Sequence, residues 1–163
     1  MSSHRLARRD FVRLGTATAA GLILFGAPGS AARARFPVTH SPSEWRRLLG
    51  PQRYHILREA GTELAFTSPL LKEHRKGIFN SAGCGQPLFL SSTKFESGTG
   101  WPSFWKVLAG STIARPDRSL GNERTEILCA RCGGHLGHVF NDGPQPTGLR
   151  YCMNGLALTF RPS

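Results

Sequence analysis

Two different periodicities divide the chain. Residues 41 to 60 carry helical signals: Ser41-Pro42-Ser43-Glu44 places Ser at an N-cap, Pro at the first helical position and Glu three residues on. Gly50-Pro51 breaks the run, and a second short helix is expected over Arg53 to Ala60, ended by Gly61. From Pro87 onward the pattern changes to short apolar or alternating runs separated by Gly, Pro, Asn and Asp. The expected strands are Pro87 to Ser91, Thr112 to Ala114, Arg124 to Cys129, His135 to Phe140, Arg150 to Asn154 and Leu156 to Phe160. The fold class this predicts is mainly β: twisted antiparallel sheets or a partly open barrel, with the short N-terminal helices packed outside.

The first 34 residues do not belong to that pattern. Arg8-Arg9-Asp10-Phe11-Val12 reads as a twin-arginine motif, followed by an apolar run from Leu14 to Ala27 and small residues up to Ala32-Arg33-Ala34. The run is well short of the roughly 20 residues a membrane-spanning helix needs. The reading is an export signal over residues 1–34, cut near Ala34, and a domain over residues 35–163. Export by this route places the domain in a bacterial periplasm or outside the cell, with no stable membrane insertion after cleavage.

With 163 residues and 39% apolar content, the chain has room for one packed core but not for two ordinary domains. The formal charge is +11, and residues 1–34 hold five of the 21 Lys and Arg and one of the 10 Asp and Glu, so the remainder carries +7. No Lys/Arg run occurs in it, and the basic stripe that nucleic-acid binding requires is missing. A solvated surface on a monomer is the expectation.

All four cysteines, Cys84, Cys129, Cys132 and Cys152, follow the export segment. An even set in an oxidising compartment usually means disulfides, but Cys129-Ala-Arg-Cys132 has the spacing of a metal or redox site and Cys152 stands alone. On a strand, period 2 would put Arg150, Cys152 and Asn154 on one face. A free cysteine is often just a small buried hydrophobe; a guanidinium beside it instead favours the thiolate that attacks electrophiles. His135 and His138 are candidates for proton transfer. Positions three apart on a regular strand face opposite ways, so both reach one site only if Gly137 marks a bulge or bend. Trp101, in the glycine-rich loop Thr93 to Trp105, serves either the core or an apolar wall against a ligand.

Three of these segments, Thr93 to Phe104, Arg124 to Asp142 and Gly148 to Asn154, strongly resemble the methionine-R-sulfoxide reductase family. Gly61 to Phe66 and Cys84 to Phe89 extend the resemblance to about residues 51–161. The resemblance implies a twisted antiparallel sheet and a strand-borne nucleophile at Cys152. It implies that His138 and Asn154, with His135 nearby, orient and protonate the sulfoxide oxygen, and that Arg150 favours the thiolate. Trp101, Phe140 and Asp142 would handle the substrate, a methionine-R-sulfoxide in a protein or peptide. Attack would leave a sulfenic acid on Cys152. Many relatives place a resolving cysteine where this chain has Thr99, so a one-cysteine cycle is expected, with an external thiol such as a thioredoxin-like protein as reductant.

Family members with a structural zinc use two Cys-x-x-Cys pairs. Here Cys129 and Cys132 form one intact pair, but Cys84 is partnered by Ser81. Three thiolates with Ser81 at the fourth position leave two readings open: a structural zinc on Cys84, Cys129 and Cys132, or thiols or a disulfide at Cys129 and Cys132. Two competing functions also stand. A noncatalytic binding module has no need of Cys152 with Arg150, Asn154 and both histidines, and a thiol-disulfide oxidoreductase centred on Cys129 lacks the expected βαβ setting.

Overall fold

The computed structural model describes residues 36–163. The expected export segment, residues 1–34, lies outside the described residues. Among the described residues, nine strands form two antiparallel sheets. The smaller has the order β2 (Pro87–Leu90), β1 (Gly77–Ser81), β9 (Leu158–Pro162). The larger runs β3 (Lys94–Phe95), β4 (Ser103–Phe104), β8 (Arg150–Met153), β7 (His135–Phe140), β6 (Arg124–Cys129), β5 (Thr112–Asp117). Among the described residues no closed barrel forms, and the mainly-β expectation holds as two separate sheets with helix outside. No helix among them is long and apolar enough to cross a membrane.

Helix α1 (Pro42–Glu59) is interrupted at Gly50, whose φ of 67° and ψ of 171° are not helical, so the expected two helices are present with Pro51 opening the second. The capping box is formed: Ser41 Oγ accepts from the Glu44 N–H, and the Ser41 N–H donates to Glu44 Oε2 at 2.8 Å. The left-handed closing residue is Ala60, not Gly61. Gly61 is needed for space instead, because a Cβ there would stand 2.4 Å from the His55 ring.

Trp45, Ile56 and Leu57 of α1 are buried against Phe79, Leu88, Phe89, Phe104, Leu136, Met153 and Leu158 from the two sheets. Phe89 and Phe104 stack with centroids 4.2 Å apart. Such burial is worth about 1.5–3 kcal/mol per large side chain, and it fixes β4 and β8, which pair Ser103 with Cys152. Strands β5 and β9 depart furthest from the sequence reading, while β2 and β8 each stop one residue earlier than expected, at Leu90 and Met153. Strand β5 continues through Pro116, which is tolerated because β5 is an edge. Strand β9 starts at Leu158, because the buried Glu63 carboxylate accepts hydrogen bonds from the Gly155 and Leu156 amides, at 2.5 and 2.9 Å, and holds Gly155–Ala157 in a short 3-10 turn.

Candidate active site

A bulge in β7 and the end of β8 build the site. Ile127 of β6 pairs with Gly137 while Leu128 pairs with His135, so Leu136 is the extra residue on β7. That insertion turns the imidazoles of His135 and His138 toward each other, with ring centroids 5.5 Å apart. Gly137 has φ 154°, and a Cβ there would lie 2.1 Å from the Cys152 carbonyl oxygen. Strands β7 and β8 therefore meet at a separation only glycine permits.

Cys152 sits between Ser103 of β4 and His138 of β7 in the sheet register. Cys152, Trp101, His138, Phe140 and Asn154 line one cavity of about 130 Å³, completed by Thr62, Gly137 and Arg124. Asn154 lies just past the end of β8; its Oδ1 accepts from the Glu63 N–H at 3.0 Å and its Nδ2 donates to the Leu136 carbonyl at 3.3 Å. The Trp101 indole N–H donates to the Glu63 carbonyl at 3.1 Å. Glu63 thus fixes both Asn154 and Trp101.

Each histidine is held by a carboxylate. His138 Nε2 lies 2.8 Å from Asp117 Oδ2, and Arg124 donates to the same oxygen at 2.6 Å. His135 Nδ1 lies 2.6 Å from Glu126 Oε1, whose other oxygen is paired with Arg115. A carboxylate on one ring nitrogen selects the tautomer and frees the other nitrogen for chemistry. Burial pushes the His138 pKa below the usual histidine value, more strongly than Asp117 raises it, so the ring is neutral at neutral pH. Asp117 is held well below the usual carboxylate range, first by hydrogen bonds from Ser119 and then by His138. Burial raises Glu126, and the hydrogen bonds from His135 and Arg115 more than offset it. His135 is 4% exposed, and its Nε2 is buried without a protein partner.

Arg150 and Asp142 lie outside the cavity lining and bind each other through two contacts of 2.8 Å. The Arg150 guanidinium rests 4.3 Å above the Phe140 ring. Its pKa is raised first by Asp142, with the nearby Cys152 sulfur adding to the shift. Thr99 Oγ1 is 3.7 Å from Cys152 Sγ, so the hydroxyl occupies the immediate neighbourhood of that sulfur.

Sequence reasoning did not single out Thr62, Glu63, Asp117, Arg124 or Glu126. A signal for Glu126 was present, since a carboxylate directly before Ile127-Leu128-Cys129 in a strand needs a buried partner. Glu63 and Asp117 carry no such mark; they act from a loop and an edge strand that only the folded chain brings near.

The other three cysteines form a separate group. Their Sγ atoms lie within 4.8 Å of one another, with Cys84 and Cys129 3.6 Å apart. Ser81 Oγ stands 3.8 Å from Cys132 Sγ. The edges of a tetrahedron with metal–sulfur bonds of about 2.3 Å are about 3.8 Å long, so these spacings fit the corners of a metal site. The two loops are built alike: Gly85 N–H donates to the Ser81 carbonyl and Gly133 N–H to the Cys129 carbonyl, both at 2.8 Å, and both glycines have positive φ. Gly83 leaves room for the sulfurs, since a Cβ there would lie 3.2 Å from Cys132 Sγ. The hydrogen bond from Cys132 pulls the Cys129 thiol down to about 5, and Cys132, left holding the shared proton, is pushed up. Arg58 of α1 donates to the Cys132 carbonyl at 2.9 Å and ties the helix to this cluster.

A strand-borne thiol, a carboxylate-held imidazole and a carboxamide around a small apolar cavity, on a mainly-β scaffold, have the make-up of an enzyme site. Residues 49–162 match the SelR domain. The chain is 55% identical to the peptide methionine sulfoxide reductase MsrB of Leptospira interrogans, covering 77% of this chain and 97% of that protein. It is 54% identical to the MsrB of Agrobacterium fabrum, covering 77% and 93%, and 50% identical to that of Methanosarcina barkeri, covering 78% and 91%. The chain belongs to the SelR-domain, MsrB family of peptide methionine sulfoxide reductases.

Proposed function

We propose that this chain reduces the R epimer of methionine sulfoxide in peptides and proteins, with Cys152 as nucleophile. The observation that carries the reading is the single cavity shared by Cys152, His138, Asn154 and Trp101. Neutral His138, its Nε2 engaged by Asp117, takes the Cys152 proton at the other nitrogen and returns it to the sulfoxide oxygen as the thiolate attacks sulfur. Asn154 orients that oxygen, His135 stands beside His138 as a second imidazole, and Trp101 and Phe140 pack on the methyl group. Arg150, held by Asp142, contributes positive charge beside the thiolate. In sum, one oxygen atom passes from the sulfoxide to Cys152, two electrons pass the other way, and the thiol proton ends on the sulfenic acid Cys152–SOH.

An external thiol then condenses with Cys152–SOH, releasing water, and a second thiol frees Cys152 from the mixed disulfide. This one-cysteine cycle is supported by Thr99 beside Cys152 Sγ and by the other three thiols being gathered in their own cluster. With separated epimers and dithiothreitol as reductant, turnover is expected on the R form at least about 100-fold faster than on the S form. Mass spectrometry after one turnover without reductant should show Cys152 carrying one oxygen. Equal rates on the two epimers, or an internal disulfide to Cys152 as main product, would overturn the assignment.

The thiol cluster is read as a structural zinc site formed by Cys84, Cys129 and Cys132, with Ser81 Oγ or a water at the fourth corner. Zinc there would cross-link the loops after β1 and β6. Protein purified without chelator is expected to hold close to one equivalent of zinc by elemental analysis, and less than about 0.2 equivalents would rule out a structural role. The twin-arginine pattern at Arg8-Arg9 supports work in the bacterial cell envelope, where exported proteins would be the ones repaired.

A further inference from the structure

The three most exposed large apolar side chains among the described residues are Leu64 at 77%, Leu120 at 73% and Phe66 at 71%; none lines the catalytic cavity itself, but each belongs to a segment that borders it. Leu64 and Phe66 belong to the segment that begins with Thr62 of the cavity wall and hands the Glu63 carbonyl to the Trp101 indole. The Phe66 ring lies against Gly100, next to Trp101, and its N–H donates to the Gly100 carbonyl at 2.8 Å. Leu120 lines an adjoining cavity that shares Thr62, Arg124 and His138 with the first.

Phe66 also has φ 67°, a left-handed conformation that carries a steric cost in a non-glycine residue. Folding recovers little of that by burying the ring, since the ring faces solvent. Strain held in an exposed aromatic at the rim of a cavity points to a ligand.

We propose that Leu64, Phe66 and Leu120 form an apolar collar that grips the residues flanking the sulfoxide in a locally unfolded, apolar polypeptide. This rests on the reductase reading and names the form of its substrate. The cavity, at about 130 Å³, is close to the ~150 Å³ that accommodates a benzene, so it takes one side chain and leaves the adjoining chain outside, where the collar stands. The charges at the rim are already matched, Arg124 with Asp117 and Arg115 with Glu126, so the rim offers apolar surface in place of partners for a free amino acid's ammonium and carboxylate. Oxidised methionine in a protein that has lost its packing is bordered by such apolar residues, and burying them on the collar holds the sulfoxide over Cys152.

The test compares three substrates of the full-length protein under dithiothreitol: free methionine-R-sulfoxide, a pentapeptide with Leu and Phe flanking the sulfoxide, and one with Glu flanks. The wild type is expected to favour the apolar peptide over each of the others at least tenfold in kcat/KM, chiefly through KM. In Leu64→Ser with Phe66→Gly, the glycine keeping the left-handed backbone without strain, the ratio of apolar peptide to free substrate should fall at least tenfold. A Leu120→Ser variant should lower the same ratio. Turnover of all three substrates with no flank preference, or a preference untouched by the variants, overturns the collar alone. Absence of turnover on all three overturns the reductase reading with it.

Discussion

Cys152→Ser is expected to abolish sulfoxide reduction, lowering kcat by at least about 1000-fold with either a small thiol or a dithiol protein as reductant. The serine hydroxyl differs from the thiol by one atom, but it does not ionise near neutral pH and is a poor nucleophile toward sulfur. Neither Thr99, at 3.7 Å, nor any other group lining the cavity replaces a soft nucleophile. The side chain is half-buried at the end of β8, so the fold should lose less than about 1 kcal/mol. Circular dichroism and thermal melting, measured beside the assay, separate lost chemistry from lost structure. Turnover persisting in a folded Cys152→Ser protein would remove this residue from the mechanism.

Gly137→Ala should damage both stability and activity, because the added methyl collides with backbone on three sides. The Cβ would lie 2.1 Å from the Cys152 carbonyl oxygen, 3.0 Å from Met153 Cα and 3.1 Å from the Cys152 carbonyl carbon. Backbone in a paired ladder yields only by separating β7 from β8, at a cost of about 3 kcal/mol and a fall in Tm of roughly 10 °C. His138 and Cys152 face each other across that seam, and a misplacement of about 1 Å at reacting groups costs about 100-fold in rate. Gly110→Ala is the control. Its glycine has φ 70° with open space around it, so it should lose about 1–2 kcal/mol and keep its kcat. If Gly137→Ala behaves like Gly110→Ala, the close approach of the two strands does not govern the site.

Much of the site was legible because strands write their geometry in steps of two. Arg124 to Cys129 and His135 to Phe140 were read with the boundaries the fold has, and the requirement for a bulge at Gly137 followed from two histidines three positions apart. The sequence pattern does not mark strand β1, although it is the middle strand of the smaller sheet: Gly77-Ile-Phe-Asn-Ser is short and ends on two buried polar residues, Asn80 and Ser81, so it shows neither an apolar run nor a clean alternation. The short strands β3 and β4 escaped for a similar reason, since two residues hold no periodicity. Arg150 and Asn154 were placed on one face with Cys152, and the structure separates their tasks. Asn154 reaches the cavity from beyond the strand end, while Arg150 turns to Asp142 and Phe140.

The sequence by itself determined the mainly-β class and most of its longer elements, the family and the chemical inventory: one isolated thiol, two imidazoles, an indole, and three further thiols with a serine. These are local properties, carried by residue type and spacing along the chain. Only the tertiary structure decided which groups hold these side chains in place. Asp117 behind His138, Glu126 behind His135, and Glu63 linking Trp101 to Asn154 are contacts between segments far apart in the chain or separated by a turn. Such contacts are set by strand order, by the extra residue in β7 and by the packing of loops against the sheet, and no pattern within a single segment encodes them.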